Sequence, residues 1–301
     1  MKSLLHTLKF AHNLWPYYVG IALLSMLVAL TGIGIPFIIG RAVDLMVGVV
    51  QGGDGTVTDA LWLAGILLGL DIANTVIRNI SGYLGDMMAT RLKAQLSIIY
   101  YDHLLKLPQS YFDNELTGTI INRLNRAITE VSNFLNIFAN NILQMLLTTV
   151  LTVIVVAIYS WELALMVVAI YPVFLWLTAL TSKKWQKLQN AKNLETDIAS
   201  GRFAEVITQI KVVKSYVQEA LEKRHFVRRY KKTIDMTHTQ STYWHKMDVA
   251  RGLALSGIFF AIFTYIFTQT VQQRFSIGDM VLLVTLINAL RMPLFSMSFI
   301  V

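Results

Sequence analysis

The sequence predicts an all-α membrane protein in which six membrane-spanning helices extend into the cytoplasm as two long helical hairpins. Three observations predict this fold class: six apolar stretches, lysine and arginine concentrated in two of the connections, and helical periodicity within those connections. Hydrophobic residues make up 55% of the 301 residues and charged residues 15%, which is far from the balance of a soluble domain. The stretches are Tyr18–Ile39, Ala60–Ile77, Ile137–Tyr159, Leu163–Leu180, Leu253–Phe267 and Met280–Phe299.

Most of these stretches approach the roughly 20 residues that a helix needs to cross a bilayer core of about 30 Å. The fifth is shorter and needs neighbours such as Val249 and Thr268 to complete it. Residues 1–15 lack the apolar core and cleavage site of a signal peptide, and we expect them to form an amphipathic helix in the membrane interface. Residues 16–301 are predicted to form one six-span domain. Its helical segments are expected at about 16–50, 59–107, 118–159, 162–200, 215–270 and 278–301.

Positive charge is concentrated in two connections. Six lysines and arginines lie between the second and third stretches, and fifteen lie from Lys183 to Arg251. By contrast, Val50–Asp59 and Ser160–Glu162 contain neither residue. Because such residues favour the cytoplasmic side, we expect both charged connections and both termini inside, in a bacterial inner membrane. Cytoplasmic loops beside the anionic lipids of the inner leaflet account for the net charge of +8. We therefore expect no nucleic-acid partner.

Both charged connections have helical patterns. Apolar residues recur at close to a helical period up to Leu107, and Pro108 then ends the pattern. A helix over Ala60–Leu107 would be about 70 Å long, so it would project far beyond the bilayer core. The chain is predicted to return over Gly118–Phe138, and the second connection to return over Leu221–Lys246. The simplest use of such hairpins is to hold a soluble partner away from the membrane; the other interpretation is a purely structural stalk.

Polar residues inside the apolar stretches are candidates for a substrate cavity. An ionisable group in the bilayer core is costly unless it faces a cavity or a partner. The alternative to cavity lining, for each of these residues, is packing or hydrogen bonding between helices. Arg41 and Asp44 are expected to pair on one helix face. The cavity candidates are Asp71, Asn74, Asn288 and Arg291.

The chain has no cysteine, and its six histidines lack ligand spacing, so no metal site is predicted. A phosphate-binding loop of the Gly-x-x-x-x-Gly-Lys-Ser/Thr type is needed to hold ATP, and the sequence contains no Gly-Lys pair. We therefore predict no catalytic residue and no cofactor on this chain. This chain alone is therefore not expected to be an enzyme.

Four motifs follow one another along essentially the whole chain: Leu104–Pro108 with Tyr111–Phe112–Asp113, Gly118 and Arg123–Leu124; Tyr159–Leu163 with Tyr171–Pro172; Phe203–Glu205 with Ile210–Tyr216 and Glu219; and Phe275–Asp279 with Pro293–Leu294. In residues, order and spacing they resemble the motifs of ATP-binding-cassette (ABC) exporters of the type I fold, which move drugs, lipids or peptides. In the first charged connection, the family's "RLtnD" reads Arg123–Leu124–Asn125–Arg126–Ala127 here, so its usual carboxylate is absent. Gln209 stands where glycine is common.

The resemblance implies the transmembrane domain of an ATP-driven exporter, working as a homodimer or heterodimer. Its two loops would carry short coupling helices that dock on cytoplasmic ATPase domains. The first coupling helix is expected near residues 110–119 and the second near 202–211. The residues carried over are Ser110, Tyr111, Phe112, Asp113, Glu115 and Thr117 for the first, and Arg202, Phe203, Glu205, Gln209 and Lys211 for the second.

The family's nucleotide-binding domain, which would hold ATP and Mg²⁺, is expected to be absent from this chain, since the chain ends at Val301 near the predicted end of span six. The partners implied are therefore a second transmembrane domain, nucleotide-binding domains and the lipid bilayer. The implied substrate is a small amphipathic molecule, a lipid or a peptide. Two alternatives remain: a secondary transporter driven by an ion gradient, which would show inverted repeats, and a membrane scaffold that does not transport.

Overall fold

The computed structural model describes residues 14–114 and 117–292, with only the backbone described at 113, 114 and 117. This part of the chain contains helices and no strand, as predicted. The predicted interfacial helix, Glu115 and the end of the sixth stretch lie outside it. The helices are α1 (Trp15–Val50), α2 (Val57–Leu105), α3 (Gln109–Asn114), α4 (Thr117–Ile137), a π-helical segment (Phe138–Ile142), α5 (Leu143–Tyr159), α6 (Trp161–Thr208), α7 (Ile210–Ser215), α8 (Glu219–Val271) and α9 (Ile277–Ala289).

Long uninterrupted helices confirm the helical pattern expected in the charged connections. Helices α2, α6 and α8 contain 49, 48 and 53 residues, so at 1.5 Å per residue each is about 70 Å long or longer. Helix α6 continues to Thr208, beyond the predicted segment end near residue 200. Among the described residues, five helical stretches are long and apolar enough to cross a membrane, and α9 is a shorter apolar helix. The stretch predicted for span six starts on α9 and continues past Met292, where the described residues end.

The chain divides into two compact units. Unit one comprises the chain up to Ala89, Leu135–Trp176 and the chain from Gly252 onward; unit two comprises Thr90–Phe134 and Leu177–Arg251. Unit one has an apolar core to which α1, α5, α6, α8 and α9 contribute. Its most buried side chains, among them Val167, Ile262 and Leu283, are 0% exposed. Since lipid is as apolar as these side chains, such a core is held mainly by close packing.

A close helix contact in unit one joins α1 to the start of α9. A Cβ added at Gly40 would lie 2.7 Å from the carbonyl oxygen of Gly278, and one added at Gly278 would collide with Gly40 and with the Asp44 carboxylate. Only glycine fits at both positions, because the two backbones are in contact.

Asp44 binds the N-terminus of α9, so the predicted pair with Arg41 is wrong. Its two carboxylate oxygens accept hydrogen bonds from the Ser276 hydroxyl, at 2.8 Å, and from the Gly278 amide, at 2.7 Å. Ser276 and Asp279 add a capping box to the same turn. The first amides of a helix lack partners within the helix and carry partial positive charge. A carboxylate is therefore satisfied better there than by an arginine side chain on its own helix.

Candidate functional site

The first hairpin of unit two turns through the short helix α3. Pro108 cannot continue α2, because it lacks the backbone donor. Its carbonyl oxygen accepts a hydrogen bond from the amide of Tyr111 at 3.0 Å, and this bond lies at the start of α3. Ser110, Tyr111 and Phe112 lie on α3, and the backbone of Asp113 belongs to it. The rings of Tyr111 and Phe112 pack edge to face with centroids 5.5 Å apart. Of the six residues predicted for this turn, Glu115 lies outside the described residues, and Thr117 begins α4.

The second hairpin turns through α7. Helix α6 ends at Thr208, Gln209 forms the break, and α7 covers Ile210–Ser215. Val217 then adopts a left-handed backbone with φ of 52°, a strained conformation for a β-branched residue. Its neighbour Gln218 donates its amide to Val213 at 3.0 Å, which closes the turn.

The residues predicted for the second turn fall on both sides of this break. Arg202, Phe203 and Glu205 lie on the last turns of α6, and only Lys211 lies on α7. The short helix therefore starts at Ile210, near the end of the predicted range 202–211, and extends beyond it to Ser215. The contacts of these residues with a partner stay a prediction.

Exposed apolar side chains cluster around this second turn. We define them as the tip surface: Phe203, Ile207, Val212, Tyr216 and Val217, each at least half exposed. Tyr216 and Val217 are 73% and 79% exposed. Beside them is a pocket of about 240 Å³. Its lining includes Phe203, Ile207, Ile210 and Phe226. Apolar side chains exposed on such a charged unit make this surface a candidate for contact with another protein.

Ion pairs hold α6 to α8 behind the tip surface. The guanidinium of Arg202 donates to both oxygens of Glu222, and Arg202 Nη1 also donates to Glu205 at 3.1 Å. Further along, Glu195 accepts from Arg229 at 2.7 Å and from Lys232 at 3.2 Å. These groups lie outside the apolar stretches. Hydrogen bonds from Arg202 hold the pKa of Glu222 below its ordinary value, and those from Arg229 do the same for the pKa of Glu195.

Acid is therefore expected to loosen the second hairpin. Because the pKa of each carboxylate is lower in the folded chain, its stabilising effect is complete above the unfolded value of about 4.3 and is lost as pH falls through the folded value. Thermal unfolding followed by circular dichroism should give a constant midpoint from pH 7 to about 5 and a decline below about 4.5. In Glu222→Gln the decline should be shallower. An identical acid decline in that variant would contradict the role given to Glu222.

The four cavity candidates do not form one cluster. Asn74 donates to the carbonyl of Val28 at 3.1 Å and to the hydroxyl of Thr31 at 2.8 Å, so it joins α2 to α1. The guanidinium of Arg291 lies over the ring of Phe259, 4.3 Å from its centroid. Asp71 and Asn288 are exposed. Within the described chain none of the four bonds to another: Asn74 forms hydrogen bonds between helices, while Asp71, Asn288 and Arg291 are exposed. Their place in a substrate cavity stays a prediction.

Val212, Tyr216 and Val217 are exposed residues of α7 and its turn that the sequence motifs did not single out, although one motif contains Val212 and Tyr216. The signal was present: Val212, Tyr216 and Val217 are apolar residues in the most highly charged connection. The described residues contain no group of three histidine, aspartate or glutamate side chains that could hold a metal ion. The described residues thus form an apolar surface at the second turn, with ion pairs between α6 and α8 behind it.

Comparison with known proteins identifies relatives over most of the chain. The family described as "ABC transporter transmembrane region" matches residues 18–294. The chain is 27% identical over 292 residues to the ATP-dependent lipid A-core flippase of Burkholderia orbicola, covering 91% of this chain and 46% of that protein. It is 27% identical over 237 residues to the flippase of the same name from Pseudomonas putida, covering 73% and 37%.

A more distant relative is the ABC-type oligopeptide transporter of Mus musculus, 24% identical over 253 residues, covering 82% of this chain and 32% of that protein. The chain thus spans about half the length, or less, of the curated relatives it matches.

Proposed function

The chain belongs to the family of ABC transporter transmembrane regions, and from this premise we propose that it forms the substrate path and the coupling loops of an ATP-driven exporter. The observation that carries the proposal is the pair of hairpin turns in unit two. Each contains a short helix, α3 or α7, with an exposed aromatic residue, Tyr111 or Tyr216. A turn built in this way presents apolar anchors to a soluble partner.

The proposed partner is an ATPase domain that binds ATP and Mg²⁺. The relatives' names describe ATP-dependent transport, and they are about twice as long as this chain. ATP binding and Mg²⁺ coordination would belong to that domain, since this chain has no phosphate-binding loop. We propose that α3 and α7 receive its movement and pass it through α2, α4, α6 and α8.

A second transmembrane domain and lipid are proposed to cover the remaining apolar surface. In the most apolar stretch of α2 no residue is buried within the chain. Its side chains include Trp62, Leu68 and Ile72, which are 70%, 63% and 55% exposed. Apolar surface of this extent needs a bilayer or another helix. Pairing with a second copy, or with a homologous chain, would bury part of this surface between the two chains of the transporter.

The proposed orientation puts unit two in the cytoplasm. Unit two contains the fifteen lysines and arginines from Lys183 to Arg251, and positive charge favours that side. Several relatives are bacterial, which favours a bacterial inner membrane. Both chain ends would then lie inside, since six spans return the chain to its starting side.

The proposed substrate is an amphipathic lipid with an anionic headgroup. Two of the relatives described above are named as lipid A-core flippases, and Arg291 presents an exposed guanidinium above Phe259. Arginine binds phosphate groups through paired donors. A peptide substrate, as in the name of the mouse relative, is the other proposal that the same experiment addresses.

The test is substrate-stimulated ATP hydrolysis by the complete transporter in liposomes. We expect lipid A to stimulate hydrolysis and a peptide mixture not to. Arg291→Ala should raise the lipid concentration for half-maximal stimulation about tenfold, the cost of one charge-assisted hydrogen bond. The control is Arg274→Ala, which removes an exposed arginine between α8 and α9. No stimulation by either substrate would contradict the function, and equal effects of the two variants would contradict the role of Arg291.

A further inference from the structure

Asp197 lies buried between the two hairpins of unit two. Its side chain is 6% exposed, and its partners come from α4. Arg126 donates through both terminal nitrogens, one of them 2.9 Å from Oδ2. Asn122 donates to Oδ1 at 2.8 Å, and the Arg123 guanidinium lies 3.8 Å from Oδ2. One carboxylate of α6 is thus matched by three side chains on adjacent turns of α4.

This arrangement is a charge-assisted contact in which Arg126 holds both oxygens of a buried carboxylate. Paired donors on a carboxylate fix direction as well as distance, so α4 can neither rotate nor slide along α6 without breaking it. Removing the negative charge leaves Arg126 partly buried without its counter-ion, which is far more costly than losing an exposed ion pair. The pKa of Arg126 is raised by the same carboxylate.

A glycine contact lies one turn from the carboxylate on both helices. Gly118 precedes Asn122 by four residues, and Gly201 follows Asp197 by four. A Cβ added at Gly118 would lie 2.6 Å from the Cβ of Ala204 and 3.0 Å from the carbonyl oxygen of Gly201. A Cβ at Gly201 would collide with the Thr119 hydroxyl. The two helices are therefore in backbone contact beside the ion pair.

Both contacts are close in sequence to the turns that carry α3 and α7. Helix α4 begins at Thr117, directly after the first turn, and α6 ends at Thr208, less than two helical turns beyond Gly201. A rigid joint at this place connects the two turns within one chain. The Glu195 and Glu222 ion pairs, in contrast, only connect α6 with α8 inside the second hairpin.

We propose that Asp197 is a positioning residue for energy coupling: it locks α4 to α6 so that movement delivered at one turn reaches the other. The inference rests on the proposed function, because it supposes an ATPase domain acting on these turns. Without this contact between α4 and α6, each hairpin would move only with the part of the ATPase domain on which it docks. ATP hydrolysis would continue while fewer substrate molecules cross per ATP.

The test measures ATP hydrolysis and lipid transport by the complete transporter in liposomes, with the ratio of the two as the readout. Asp197→Asn keeps the shape of the side chain and removes its charge. It should lower transport per ATP about tenfold, which corresponds to the free energy of one charged hydrogen bond. The rate of ATP hydrolysis should stay within about twofold of that of the unaltered protein. Asp197→Glu should recover most of the ratio. Arg126→Gln should lower transport per ATP as much as Asp197→Asn does, and the double variant should lower it no further than either single variant.

The matched control is Glu195→Gln, which removes a carboxylate of similar burial from α6 that binds α8 instead of α4. It should lower the thermal midpoint as Asp197→Asn does and leave transport per ATP unchanged. An equal fall in transport per ATP for both variants, or an unchanged ratio in Asp197→Asn, would overturn the proposal. Failure of the proposed function would look different, since the unaltered protein would then show no ATP-dependent transport.

Discussion

Gly278→Ala is expected to destabilise unit one strongly, although it adds only a single methyl group. The new Cβ would overlap the Gly40 carbonyl oxygen and the Asp44 carboxylate. Helix α9 would have to move away from α1, and the 2.7 Å hydrogen bond from the Gly278 amide to Asp44 would lengthen. Overpacking of this kind costs about 3 kcal/mol. In detergent, we expect the thermal midpoint to fall by about 5 °C or more.

Gly257→Ala is the matched control, since Gly257 lies inside α8 and a Cβ there meets no heavy atom within 4 Å. The helix preference for alanine should leave its midpoint unchanged or slightly higher. Gly40→Ala should resemble Gly278→Ala, because it opens the same contact from the other side. A normal midpoint for Gly278→Ala would show that α1 and α9 do not touch at these glycines in the membrane.

Val212→Glu in the complete transporter is expected to abolish substrate-stimulated ATP hydrolysis, with at least a tenfold loss. Val212 is a half-exposed residue of α7 in the tip surface. If an ATPase domain covers this surface, the substitution buries a carboxylate without a partner at the centre of the contact. Such burial costs several kcal/mol, enough to detach α7 from the domain. Basal hydrolysis by the ATPase domains should remain, because the chemistry lies outside this chain.

Ile234→Glu provides the control for charge and for general damage to unit two. Ile234 is a 64% exposed apolar residue of α8 outside the tip surface. The same chemical change there should alter stimulation by less than about twofold, as expected for a surface substitution. If stimulation survives Val212→Glu, or is lost equally in both variants, the tip surface does not take part in coupling.

Much of the architecture could be predicted from the pattern of residues. The long apolar stretches and the periodicity up to Leu107 predicted continuous helices, and α2, α6 and α8 confirm them. Pro108 correctly predicted the end of the first outward helix, because a proline cannot donate the next helical hydrogen bond. The turn between α6 and α8 has no proline to mark it, so α7 begins later than the residue pattern predicts.

Sequence by itself determined the class of the molecule: an apolar, helical membrane chain with its positive charge in two loops and no phosphate-binding loop. These properties follow from composition and periodicity, which are local. Tertiary structure alone decided which polar groups meet. It brought Asp44 to the Ser276 hydroxyl and the Gly278 amide at the start of α9, although Arg41 is nearer in sequence, and it brought Asp197 to Arg126 of α4, 71 residues away. Such pairings depend on which helix faces are in contact, and helical periodicity gives the faces but not their neighbours.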